Sequence, residues 1–145
     1  MKPGDKAPDF TAQAVGKRTI ILSELLAQSG VVLHFFCGAF TPICSVQTLE
    51  FQKILKELKA LPVGCSTDSI WSLQVFSAAL GGITYPLISD QKRDISSSYG
   101  VLNEKGYASR SVFIINREGK IVSSYLYKDD EMPDFDKIKK DACEL

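Results

Sequence analysis

Of the four cysteines in this chain, Cys44 is the one set up for chemistry. It ends the segment Phe40-Thr41-Pro42-Ile43-Cys44, which follows the apolar run Val31-Val32-Leu33-His34-Phe35-Phe36. A charged segment with helical periodicity, residues 47–60, comes next. That order places a thiol at a strand-to-helix junction, where unpaired backbone N–H groups favour negative charge. The thiolate is the reactive form of cysteine. The chemistry on offer is attack by a stabilised sulfur anion on an electrophile, and a depressed Cys44 pKa is expected.

The other thiols have weaker settings. The spacing of Cys37, Cys44, Cys65 and Cys143 contains no CxxC pair. The one histidine, His34, lies inside an apolar run and reads as a satisfied core residue, so no zinc site is expected. Cys65 sits in an apolar stretch and reads as a small core residue. Cys143 lies close to the last residue and reads as an exposed or mobile thiol.

The elements that must hold Cys44 are legible in part. Residues 1–12 carry Pro3, Gly4 and Pro8 and read as an extended lead-in. Residues 15–22, broken by Gly16-Lys17-Arg18, predict a hairpin. Ser23 can cap a short helix over 24–28 that Ser29-Gly30 ends. The run 31–36 predicts a strand buried on both faces. Val46, Leu49, Ile54, Leu55 and Leu58 then predict a helix over 43–60. A strand over 62–66 follows, then a helix to Leu80 capped by Asp68 or Ser69 and closed by Gly81-Gly82. Trp71, Phe76 and Leu80 follow helical spacing in part and read as core or interface. Residues 85–88 predict a short extended piece and 92–99 a short helix stopped by Gly100. Two β-rich runs, 111–115 and 120–127, flank the turn Asn116-Arg117-Glu118-Gly119. Pro133 opens a last helix to about Ala142. Alternating strands and helices followed by a hairpin imply an α/β fold, a central mixed sheet flanked by helices. In such sheets, sites lie at the carboxyl ends of strands.

Composition bounds the rest. At 145 residues the chain is long enough for one domain, 1–145, with a real core. Its net charge is zero and no basic stripe stands out, which argues against nucleic-acid or membrane-surface partners. No apolar stretch reaches the length of a membrane span, and the first residues lack the apolar core of a signal peptide. The expectation is a cytoplasmic protein, in a compartment where structural disulfides are disfavoured.

The residues Phe35-Phe36-Cys37-Gly38-Ala39-Phe40-Thr41-Pro42-Ile43-Cys44 resemble the active-site loop of the peroxiredoxins, P-x-x-x-[T/S]-x-x-C. Further blocks match in order: residues 4–10, 63–69, 85–90, 98–101 and 110–115. The resemblance covers nearly the whole chain and is nearest to the short bacterial group related to alkyl hydroperoxide reductase E. It implies a thioredoxin-like fold and thiol-dependent reduction of hydrogen peroxide or small organic hydroperoxides, without metal or organic cofactor. It implies that Cys44 is the peroxidatic cysteine, that Thr41 hydrogen-bonds the sulfur or peroxide, and that Arg110 is the cation beside the thiolate. A thiol reductant (thioredoxin, glutaredoxin or a small thiol) and a homodimer are implied partners. Two positions depart from the pattern. The family's proline falls at Cys37, which puts shielding of the sulfur in question. Its common glutamate falls at Gln47, which can orient Arg110 but brings no countercharge.

Left to the residues alone, Thr41 reads equally as a helix cap and Arg110 as a surface strand residue. The possible resolving thiols are Cys37 and Cys143, against an external thiol. Two other functions share the reactive Cys44: a thioredoxin-like dithiol oxidoreductase, weakened by the missing CxxC, and a non-enzymatic redox sensor.

Overall fold

Twelve elements follow one another in the computed structural model, which describes residues 1–145. They are β1 (Thr11–Ala14), β2 (Arg18–Ile21), α1 (Leu22–Leu26), β3 (Gly30–Phe35), α2 (Pro42–Lys53) and β4 (Ala60–Ser66). Then come α3 (Ile70–Ala79), β5 (Leu87–Ser89), α4 (Asp94–Ser98), β6 (Ser111–Ile115), β7 (Ile121–Leu126) and α5 (Phe135–Cys143). The seven strands form one mixed sheet in the order β2-β1-β5-β4-β3-β6-β7. β3, β4 and β5 are parallel neighbours, and β6 runs antiparallel to β3.

Every residue of β3 is buried, as its unbroken apolar run predicts. Its side chains alternate between two cores. Val31, Leu33 and Phe35 enter one, with Val63, Cys65 and Phe113. Val32 and Phe36 enter the other, with Cys44 and Phe51 of α2, Phe76 of α3 and Ile138 of α5. His34 shares that second face, stacked on Phe51 with ring centroids 4.2 Å apart.

Several local expectations are corrected. The hairpin lies earlier than predicted and pairs Thr11 with Ile21 through Ala14 with Arg18. Ser23 caps nothing: Ile21 precedes α1, and the Ser23 N–H is taken by the Asp9 carboxylate at 2.9 Å. That acceptor is fourteen residues away, beyond the reach of a capping pattern. The helix expected over 43–60 stops at Lys53; a turn follows, and Ala60 already begins β4. The buried stripe of α2 is Cys44, Gln47, Thr48 and Phe51, spaced i, i+3, i+4, i+7. Val46, assigned to the apolar set from its type, is 47% exposed. Pro133 lies outside α5, which Asp134 caps by accepting from the Lys137 N–H at 3.2 Å. Phe76 is core, whereas Trp71 is 72% exposed.

Candidate active site

The site is built where β3 ends. Antiparallel pairing sets Ser111 beside Phe35, so Arg110 lies at the carboxyl end of β3. The chain after β3 loops over this end and enters α2 at Thr41. Ala39 is pinned there by the Asp68 carboxylate, which accepts its N–H at 2.8 Å and the Ser66 hydroxyl at 2.7 Å. Phe40 takes a left-handed φ of 66°, which turns the chain into the helix.

Cys44 is in the first turn of α2, not in the loop before it. The first backbone bond of the helix runs from the Ser45 N–H to the Thr41 carbonyl, so earlier amides of the turn lack a helical acceptor. Arg110 is itself buried and reaches the sulfur: Nη1 is 3.2 Å from Cys44 Sγ. The same Nη1 donates to Gln47 Oε1, and Nη2 donates to the Asp129 carbonyl at 2.8 Å. The surface-strand reading of Arg110 is therefore excluded. Nη2 also lies 3.7 Å from Cys37 Sγ. The Cys37 thiol has a second neighbour in Asp129 Oδ1 at 3.6 Å, and Tyr107 donates to Asp129 Oδ2 at 2.6 Å.

The Cys44 thiol is lowered to about 5. The hydrogen bond from the Cys37 thiol is the largest cause; burial opposes it, and the Thr41 hydroxyl, the Gly38 backbone and the Arg110 charge add to the lowering. Cys37 moves the other way. Its bond to Cys44, its burial and the Cys44 charge all keep it protonated. The two neighbouring thiols are thus pushed in opposite directions.

Thr41 is not the helix cap, and its hydroxyl serves both a backbone carbonyl and the sulfur. It is the residue before α2, yet its side chain makes no capping bond. Its hydroxyl donates to the Gly38 carbonyl at 2.9 Å. A hydroxyl has one proton, which rotates; turning it from Gly38 to the sulfur is how Thr41 favours the thiolate.

The sulfur is shielded despite the missing proline: Cys44 exposes none of its surface. A cavity of about 370 Å³ opens beside it, lined by Cys37, Thr41, Pro42, Tyr107, Arg110 and Asp129 among others. Within one chain, Cys143 lies away from this site. The C-terminal residue Leu145 packs on Gly30, where a Cβ would come within 2.5 Å of its Cδ1, so the end of α5 sits at the opposite end of β3. A six-residue strand makes that separation roughly 16 Å.

A model of the AhpC/TSA family matches residues 3–124. The chain belongs to the peroxiredoxin family. It is similar to a chloroplastic 2-cysteine peroxiredoxin of Chattonella marina var. antiqua, 43% identical over 136 residues that cover 86% of this chain and 70% of that one. It is also similar to a chloroplastic 2-Cys peroxiredoxin of Spinacia oleracea, 38% identical over 83% of this chain. The chain spans only 51% of the spinach protein's length. Among solved structures, the peroxidoxin BcpB from Mycobacterium tuberculosis superposes with a TM-score of 0.89 at 27% identity, covering 100% of this chain and 98% of that one.

Within this peroxiredoxin site, sequence reasoning missed Asp129, Tyr107 and Asp68. The first two carry no local motif; they meet the loop only because β7 and the segment before β6 end beside it. Of the two cap candidates, Ser69 caps α3 by accepting from the Ser72 N–H at 3.2 Å, whereas the Asp68 carboxylate faces the loop.

Proposed function

We propose that this chain is a thiol peroxidase in which Cys44 reduces hydrogen peroxide or a small organic hydroperoxide. The observation that carries the reading is the buried Arg110 guanidinium 3.2 Å from a sulfur in the first turn of α2. The thiolate forms an S–O bond to one peroxide oxygen, the O–O bond breaks, and the other oxygen leaves as hydroxide or alkoxide. Cys44 becomes a sulfenic acid. Charge passes from sulfur to the leaving oxygen, and a fixed guanidinium with several donors can follow it. The sulfur is covered, so the peroxide reaches it from the cavity when Cys37 or Thr41 gives way.

Resolution of the sulfenate is assigned to Cys37. Two causes that hold its proton, the bond to the Cys44 thiolate and that thiolate's charge, vanish once Cys44 is oxidised, whereas Arg110 remains. The Cys37 sulfur then attacks Cys44 Sγ; the S–S bond forms, the S–O bond breaks, and hydroxide leaves to become water with the Cys37 proton. An external thiol (thioredoxin, glutaredoxin or a small thiol) returns the pair to the reduced state. A homodimer and a cytoplasmic setting complete the proposal. Exposed Trp71 and Val75, one turn apart on α3, support self-association, which analytical ultracentrifugation tests.

Stopped-flow mixing of reduced protein with peroxide tests the first step. Sulfenate formation orders of magnitude faster than a free thiol, and lost in Cys44→Ser, is expected. A slow reaction indifferent to that substitution defeats the proposal. Peptide mapping after one equivalent of peroxide tests the second: a Cys37–Cys44 linkage is expected, and a persistent sulfenate in the absence of added thiol rules it out.

A further inference from the structure

The chain's one histidine is buried one residue before the end of β3 and takes no part in the reaction above. It is nonetheless joined to the reactive sulfur by an unbroken line of buried groups. Arg110 Nη1 contacts Cys44 Sγ and donates to Gln47 Oε1. Gln47 Nε2 stands 2.9 Å from His34 Nδ1 and also donates to the Phe35 carbonyl at 3.3 Å. His34 Nε2 stands 3.1 Å from the Tyr85 hydroxyl, which donates to the Thr48 carbonyl at 3.0 Å.

The polarity of this line is set from one end. A guanidinium only donates, so the Gln47 group facing it must be the oxygen. The NH₂ group then faces His34, so Nδ1 must be the acceptor. The imidazole is therefore neutral, with its proton on Nε2, and that proton goes to the Tyr85 oxygen. Tyr85 in turn spends its own proton on Thr48. No other arrangement satisfies all five groups. A protonated His34 would point a donor at the Gln47 NH₂; flipping the amide to relieve this would point NH₂ at Arg110.

The surroundings are shaped for the ring. His34 pairs in register with Gly64 of β4, and a Cβ at Gly64 would come within 2.9 Å of His34 Nε2. Phe51 stacks on one face, and Phe36 and Tyr85 lie within 6 Å between ring centroids. The charged and titratable groups that bear on it are Arg110, just before β6, and Tyr85, from the segment before β5. Burial first, and then the Arg110 charge, lower the His34 pKa to about 3, so the ring stays neutral at working pH.

We propose that His34 is a positioning residue of the Cys44 site: by accepting from Gln47 it locks the amide with Oε1 toward Arg110 and so holds the guanidinium on the sulfur. The inference rests on the reading of Cys44 as the reactive thiol. His34 and Gln47 act as a matched neutral pair. They orient Arg110 by dipole alone and bring no countercharge of their own.

A single histidine makes the test direct. In ¹⁵N-detected imidazole NMR of the reduced wild-type protein, the expected signals are a protonated Nε2 and an unprotonated Nδ1 that do not titrate between about pH 5 and 8, where an ordinary histidine changes charge. A proton on Nδ1, or titration near 6.5, overturns the proposal whether or not the protein reduces peroxide. His34→Phe, with His34→Leu in reserve should the larger ring not fit, gives the functional arm. The Cys44 thiolate, followed by its ultraviolet absorbance without peroxide, should titrate about one unit higher. Peroxide reaction should slow about fivefold, the size of one neutral hydrogen bond. A Cys44 titration that overlays the wild type in a folded variant refutes the positioning role. A shifted titration in a protein with no peroxidase activity would instead indict the proposed reaction and leave the positioning role standing.

Discussion

Cys44 and Cys65 are equally hidden from solvent, on opposite faces of one sheet, and their chemistry is opposite. Cys65 sits among Val31, Leu33, Ile88 and Phe113, and burial followed by the Asp90 charge pushes its pKa well up. Cys44 sits in the α2 face and is lowered to about 5. Burial raises both thiols, so burial is not what separates them. The difference is a set of donors that one face carries and the other lacks: the Cys37 thiol, Thr41, the Gly38 backbone and Arg110. A buried thiol is inert by default and becomes reactive where donors are aimed at it before the reaction begins.

The sharpest break of this contrast is Arg110→Met. It removes the fixed charge and leaves Gln47 Oε1 unpaired, so peroxide reaction should fall by about a hundredfold, in the range for loss of one preorganised donor. The Cys44 titration should move up with it. Cys65→Ser should leave the rate within about twofold, since surroundings that hold a thiol inert give it no part in the reaction. Stopped-flow rates and thiolate absorbance on the two variants check this, and overlaid pH–rate profiles for Arg110→Met and wild type would remove Arg110 from the mechanism.

The apolar face should fail differently. Leu33→Ala, on a fully buried position beside Cys65, should cost about 2–5 kcal/mol of stability, the range for such core truncations. Its Cys44 pKa and reaction rate at low temperature should stay near wild type. Urea unfolding with a parallel rate measurement decides; a large rate loss without a stability loss would mean that the two faces are coupled.

A third contrast between the two faces is a pair of opposed pH dependences. Cys44 is depressed in the fold, so its contribution grows as pH rises from about 5, is complete above the ordinary thiol value of 9.0, and is lost as pH falls back through about 5. Cys65 is raised, so it contributes nothing below 9.0 and destabilises the fold above it, where the unfolded chain ionises first. Cys44→Ser should therefore lose stability relative to wild type progressively between these values. Cys65→Ser should differ in pH dependence only on the alkaline side. Denaturation midpoints across pH measure both, and parallel curves for the two variants would contradict the assigned directions.

Much of this protein is determined by local pattern in its sequence. The unbroken apolar run of β3, the Asn116–Gly119 hairpin and the Ser69 cap of α3 are each encoded within a few residues, so they can be read without the fold. The same holds for Cys44 at a helix start, because the signal for the turn and the thiol itself are adjacent. What the tertiary structure alone decided is which groups meet. The α2 stripe was misread at Val46 because hydrophobic type suggests an inward face, whereas Gln47 and Thr48 are buried there with hydrogen-bond partners. Gln47 finds its partner 63 residues away in Arg110, Cys37 finds Asp129 at a separation of 92, and Asp9 caps a helix fourteen residues on. His34 is legible as a satisfied core histidine, but the sequence does not say that Gln47 and Tyr85 satisfy it. A buried polar group must be paired, and composition and periodicity reveal that need; only the folded chain, by closing long loops, supplies the partner and with it the chemistry.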